Sequence, residues 1–146
     1  MHQVECGVPG SPSVLATTGP TVLVRIGFDQ QYQPGATIDL PSQQYHALID
    51  TGATSSCIDS SIAINLSLPV IDQRPIAGVL GPGTANVHLA QMDMIGLDHL
   101  EYGSFLGVHL HAGGQPHSAL IGRDLLQHFD MQYFGATGSV VLSVPQ

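Results

Sequence analysis

The segment Thr21-Val22-Leu23-Val24-Arg25-Ile26-Gly27 alternates in polarity and is rich in β-branched residues, which predicts a strand. Residues 28–42 carry proline and glycine among polar side chains and read as a long hairpin loop. Gln44–Ile49 then returns as a strand that runs straight into Asp50. Asp59 or Ser60 can cap a short helix over residues 61–66, which Pro69 stops. Pro75–Leu80, a turn at Gly81-Pro82-Gly83 and a strand over Val87–Met94 make the pattern of a hairpin with a flexible tip. Phe105–His111 alternates again as a strand, and a loop follows over residues 112–116. Ala119-Leu120-Ile121-Gly122 is a second apolar run ending in glycine. Behind it, Leu125, Leu126 and Phe129 are spaced for the buried face of a helix over residues 123–129. Ser139–Val144 closes as a strand. Short strands with two short helices predict an all-β barrel or sandwich.

The first stretch, Met1–Gly19, is rich in Gly, Pro, Ser and Thr and reads as an N-terminal arm or outer edge strand. Residues 20–146 then form one domain, a size that holds a core without staples. Composition narrows the partners. Only 10% of the residues are charged, three arginines and no lysine stand against eleven acids, and the net charge is −8. Nucleic acid and anionic membrane surfaces both select clustered cations, so neither is expected as a partner. A surface this poor in charge leaves apolar area that self-association would cover. No stretch approaches a membrane span, and residues 1–19 lack a basic region followed by an apolar core, so no signal peptide is visible. Cys6 and Cys57 lie in unrelated contexts without metal-type spacing; a disulfide between them is possible but not implied. A reduced, cytosolic setting is the default.

Chemistry concentrates at Leu48-Ile49-Asp50-Thr51-Gly52-Ala53. An apolar strand delivers a carboxylate onto a tight glycine turn. Two such carboxyls about 3 Å apart cannot both ionise, so one stays protonated and the other serves as base. That pair can activate water against a peptide bond, with one group taking a proton and the other polarising the carbonyl. The chain has a single Asp-Thr-Gly, hence half of such a site. The bland reading is a surface turn in which Asp50 caps its own backbone. The flanking pattern favours the first reading, because the apolar-apolar-glycine run and its helix recur some seventy residues on, at Leu120 to Leu126.

Together, Leu48-Ile49-Asp50-Thr51-Gly52-Ala53-Thr54 and Leu120-Ile121-Gly122-Arg123-Asp124-Leu125-Leu126 resemble the retropepsin-type, single-lobe aspartic proteases of retroviruses, retrotransposons, eukaryotic DNA-damage-inducible proteins and bacteria. The resemblance runs from about Thr21 to Val144. It implies a retropepsin-like acid protease barrel with one or two short helices, acting as a homodimer on a polypeptide substrate without a cofactor or metal. Asp50 would be the catalytic aspartate, Thr51 the hydroxyl that grips the partner loop across the two-fold axis, and Gly52 a hydrogen-bonding contact to substrate. Ala53, Thr54 and Cys57 would also line the substrate site. The hairpin over residues 77–85, with Gly78, Val79, Leu80 and Gly81 at its tip, would be the flap. Retroviral members carry an acidic residue shortly after the triplet that pairs with the helix arginine. Thr54 and Ser55 stand there instead, so Arg123 needs another acceptor, a backbone carbonyl or Asp124. Pro82 stiffens a tip that is usually glycine-rich, and the long loop over residues 28–42 suits bacterial-type members better than viral ones.

Competing classes leave weaker marks. His109 and His111 would share one face of a strand with His117 nearby, which makes a metal-binding β-domain conceivable, but no local Cys, Asp or Glu completes a ligand set. Cys57 is equally compatible with a buried small hydrophobe. No nucleophile elbow surrounds any Ser or Cys, and Gly81-Pro82-Gly83 has no lysine and opens no helix, so it is not a phosphate loop. The alternative to an endopeptidase is a retropepsin-fold module that dimerises and binds peptides without cutting them.

Overall fold

The computed structural model describes residues 2–78 and 81–145. Among them the order is β1 (Gln3–Glu5), α1 (Pro12–Thr18), β2 (Thr21–Gly27), β3 (Tyr45–Ile49), β4 (Cys57–Asp59), α2 (Ser60–Asn65), β5 (Val70–Gly78) and β6 (Gly81–Met94). Then come β7 (His99–Val108), β8 (Ala119–Ile121), α3 (Arg123–Leu126), β9 (Asp130–Phe134) and β10 (Ser139–Ser143). No helix among the described residues is long and apolar enough to cross a membrane.

The alternation read along β2 is the reason a barrel forms. Val22, Val24 and Ile26 point inward and are buried, while Leu23 and Arg25 point out. β2, β3, β8, β4, β7 and β6 bond to one another in that order, and β6 returns to β2, so six strands close a ring. Closure gives each of the six a partner on both sides over part of its length. Phe105, Ile58, Met92, Met94 and Ile121 fill the interior. β5 lies outside the ring, paired antiparallel with the first part of β6. A second sheet, in the order β1-β10-β9, packs Val140 and Leu142 against the same core.

Several expected boundaries move. Helix α1 was not anticipated within residues 1–19, although Pro12 in its first turn and Gly19 at its end (φ 73°) are ordinary helix punctuation. Leu15 is its one buried side chain, too few for an apolar period to be read. Gly81-Pro82-Gly83 is paired strand rather than turn, with Ala77 opposite Pro82 and Gly78 opposite Gly81. This end of β6 pairs with β5 alone, because its pairing with β7 begins at Val87, and such an edge tolerates proline. The hairpin's connecting residues, Val79 and Leu80, lie outside the described residues. Helix α3 is shorter than the expected 123–129 and continues as turns, yet Leu126 and Phe129 still pack on the core.

β7 ends at Val108, so His109 and His111 sit in a loop and not on one strand face. The physical cause is Asp59. Its almost fully buried carboxylate accepts the Leu110 and His111 amides at 3.0 Å each, drawing the chain out of the strand into a turn. Ser61 donates its hydroxyl to the same carboxylate, so Asp59 flanks α2 without making the side-chain cap expected of it. Burial pushes the Asp59 carboxyl up, but the Ser61 hydroxyl, the His111 amide and imidazole and the Leu110 amide outweigh it, and its pKa falls below the ordinary value. His109 Nδ1 is 2.7 Å from Ser60 Oγ, and His111 Nε2 is 3.2 Å from Ser118 Oγ. The buried His117 is pushed down in pKa by burial and by the His46 imidazole. Among the described residues, no three or more His, Cys, Asp or Glu gather in a geometry that could hold a metal ion.

Candidate active site

β3 and β8 run parallel with Ile49 beside Ile121, both buried. The ladder continues one residue further, where the Asp50 amide donates to the Ile121 carbonyl at 2.9 Å. The chain then turns at once. The Ala53 amide reaches the Asp50 carbonyl at 3.2 Å, and the Gly52 amide donates to Asp50 Oδ1 at 3.0 Å. A Cβ on Gly52 would come within 3.2 Å of that same oxygen, so the close approach suits glycine. Asp50 is half-buried, while Thr51, Gly52 and Thr54 are exposed and Ala53 is partly so. The turn therefore presents one carboxylate on a rigid strand end, with its face open.

The second motif braces this turn from behind. Gly122 passes so close to the loop that a Cβ would meet Ser55 carbonyl carbon at 2.9 Å and the Ala53 and Ser55 oxygens at 3.0 Å. The Arg123 amide donates to the Ala53 carbonyl at 2.8 Å and the Asp124 amide to the Thr54 carbonyl at 3.2 Å. Arg123 resolves the missing-acceptor question: Nη1 donates to the Thr51 carbonyl at 2.7 Å and Nη2 to Thr54 Oγ1 at 3.1 Å. A neutral carbonyl and hydroxyl take the place of a carboxylate.

Asp124 and Ser56 form a contact that sequence reasoning did not find. The Asp124 carboxylate accepts the Ser56 amide at 2.9 Å and the Ser56 hydroxyl at 2.6 Å. The fully buried Ser56 Oγ in turn accepts the Gly122 amide at 2.8 Å. The only sequence signal was a charged residue following Gly122-Arg123 and a serine just beyond the triplet, 68 positions apart. Cys57, next along, is buried on β4 opposite Leu120. Burial first, with the Asp50 and Asp124 charges adding, pushes its thiol up to about 12 despite a lowering hydrogen bond from the Leu120 backbone. It stays a thiol at neutral pH and is no nucleophile. Cys6 and Cys57 are both free.

Of the site residues predicted from sequence, Asp50, Thr51, Gly52, Ala53 and Thr54 fall in one turn, and Cys57 lies buried beyond it. Gly78 and Gly81 face each other at the end of the β5–β6 hairpin; Val79 and Leu80 are outside the described residues.

A family model described as "gag-polyprotein putative aspartyl protease" matches residues 36–128, a span holding the Asp50 turn, the β5–β6 hairpin and the Gly122 brace. The chain belongs to that family. Membership in the gag-polyprotein aspartyl proteases places a protease function on the chain and agrees with its strand-built, single-lobe architecture. Among solved structures, the EIAV protease complexed with the inhibitor HBY-793 aligns with a TM-score of 0.49 and 20% identity, over 74% of this chain and 85% of that one. The simian foamy virus (mac) protease in solution aligns with a TM-score of 0.47 and 13% identity, over 71% and 88% respectively. No protein of curated function matches the chain.

Proposed function

We propose that this gag-polyprotein aspartyl protease is an aspartic endopeptidase whose active site is shared by two copies of the chain. The observation that carries the reading is the single Asp50 carboxylate, held by the Gly52 amide at 3.0 Å on a turn braced by α3 and open on its outer side. A second copy related by a two-fold axis supplies an identical carboxylate, an isologous arrangement that needs no further residue type. The two groups share one proton, so the pair titrates as a unit. The ionised member takes a proton from water as it attacks the peptide carbonyl; the protonated member polarises that carbonyl and later protonates the leaving amine.

In this reading Thr51 locks the two turns together through its hydroxyl, and Gly52, Ala53 and Thr54 meet an extended polypeptide along the floor. Cys57 backs that floor from within the core. The β5–β6 hairpin, with Gly78, Val79, Leu80 and Gly81 at its end, covers the substrate and excludes water.

The test is turnover of an unstructured protein at pH 4–6, with and without a statine-type inhibitor. Asp50→Asn lowers turnover by about 10²–10⁴-fold or more, the scale of losing acid–base catalysis, while the fold and the dimer persist. Undiminished cleavage by that variant removes the reading. Peptide binding without cleavage by the unaltered chain makes it a binding module instead.

A further inference from the structure

The outer face of β3 carries an inference that rests on the shared-site reading and names a class of substrate for it. Ala47 and Ile49 are buried, so alternation turns His46, Leu48 and, one step past the strand, Asp50 to the outer side. Leu23 and Thr21 lie across from His46 and Leu48 on β2 and extend the same face. Two cavities open on it. The first, about 440 Å³, has Leu48, Thr17, Gln115 and His117 in its wall. The second, about 280 Å³, is lined by Thr18, Thr21, His46, Pro116 and His117. Thr18, Pro116 and His117 belong to both, so the two make one groove that begins beside Leu48 and ends at His46.

This groove is lined by two imidazoles and by no carboxylate. His117 is only 6% exposed, yet its ring makes a single contact among the described residues, a 3.5 Å approach of Nδ1 to Gln115 Oε1. Buried polar groups are as a rule fully paired, and here Nε2 is left over. Burial first, and the nearby His46 imidazole second, hold the His117 pKa below its ordinary value. An anion between the rings would reverse both effects. The neighbouring acids are committed elsewhere. Glu5, on the far side of Thr21 and His46, takes the Ser139 hydroxyl and the Val140 and Gly7 amides. Asp59 holds the Leu110 and His111 amides, and the His111 ring beside Ser118 adds a further imidazole. Arg25 is tied to Asp93 and Arg123 to the Asp50 turn, so positive charge at this groove comes from histidine.

We infer that the groove receives an acidic side chain of the substrate polypeptide, its carboxylate seated between the His46 and His117 imidazoles. Leu48 and His46 stand two and four residues from Asp50, about 7 and 13 Å along an extended strand. The acidic residue of an extended substrate therefore sits two to four positions from the bond that is cut. Carboxylates ionise above about pH 4 and imidazoles charge below about pH 6.5, so the two are complementary between those limits. Binding draws a proton onto His117 and raises its pKa. Affinity accordingly grows as pH falls towards 5 and is lost once the substrate carboxyl is itself protonated. In a chain of net charge −8, this local reversal of sign is what admits an acidic segment.

Two measurements on the full chain test this and separate it from the endopeptidase reading. The first follows imidazole proton resonances at pH 5.5 with hexaglutamate or hexaglutamine as probe. Hexaglutamate shifts the His46 and His117 signals saturably and raises the His117 titration midpoint, whereas hexaglutamine does neither. No shift, or equal shifts at His2 and His128 outside the groove, overturns the proposal. The second sequences by mass spectrometry the ends produced from an unfolded protein at pH 5. Glu and Asp are enriched about tenfold at two to four positions from the cut, the scale of a hydrogen bond to a charged group. His117→Gln abolishes the enrichment, and so does His46→Gln, whose exposed position spares the fold. Cleavage without an acidic preference, or a preference that survives both variants, overturns the groove and leaves the endopeptidase reading intact. Saturable hexaglutamate binding at His46 and His117 in a chain that cuts nothing does the reverse.

Discussion

The Asp50 turn and the β9 edge represent opposite treatments of polar backbone. At the turn, amide and carbonyl groups are matched within the chain: Ile121, Ala53, Thr51 and Thr54 all lend carbonyls, and Ser56 is held by Asp124 and itself holds Gly122. At β9, the edge-directed groups of Met131 and Tyr133 find no backbone partner among the described residues, and apolar side chains beside them stay exposed. The contrast separates two tasks. A carboxylate must be aimed to within a fraction of an ångström, which requires an internally satisfied frame. The carboxylate it would meet in the proposed shared site comes from outside, which requires an unsatisfied surface.

Removing the frame is the strongest way to break this contrast. Asp124→Ala leaves the fully buried Ser56 without its acceptor and is expected to cost about 2–4 kcal/mol, the sum of two charge-assisted hydrogen bonds discounted for partial exposure, read as a drop in unfolding midpoint. Turnover at saturating substrate falls along with stability, because the turn carrying Asp50 loosens. If the variant unfolds like the unaltered chain, Asp124 is not the brace.

A smaller and pH-dependent effect follows from Asp59. Its carboxyl is held below the ordinary carboxylate value, so the stability it contributes is complete above the unfolded value near 3.8 and disappears as pH falls through the lowered one. Asp59→Asn therefore lowers the unfolding midpoint at pH 5–7, and the gap to the unaltered chain narrows as pH drops below about 3.8. A gap that is constant with pH refutes the ionised fastener. The loop over residues 109–118 is accordingly expected to stay tied down above about pH 4, which covers the pH of the turnover assay proposed above.

The smallest effect belongs to the exposed strand. Phe134→Ser changes the protomer's unfolding free energy by no more than about 0.5 kcal/mol, as exposed substitutions do, yet weakens association measured by sedimentation. A large loss of protomer stability shows that Phe134 supports the fold instead.

The parts of this molecule that were legible early are those with local causes. Alternation in β2 and β3, the glycine turn after Asp50 and the second apolar-apolar-glycine run each depend on residues within a few positions of one another. The parts that were not legible lack such a period. α1 buries one side chain, β9 buries none fully, and β7 stops short of its alternating pattern because a carboxylate 51 positions upstream captures its next amides. The identity of Arg123's acceptors and the pairing of Asp124 with Ser56 belong to the same class.

Residue order alone thus established what chemistry is present: one acidic group on a tight turn, a barrel's worth of alternating strands and a surface nearly free of cations. Folding settled how that acid is held and which strand is left at the open edge of the second sheet. Those outcomes depend on hydrogen bonds between residues some 70 positions apart and on which strand is left at the rim of a sheet, and neither quantity has any signature in a short window of sequence.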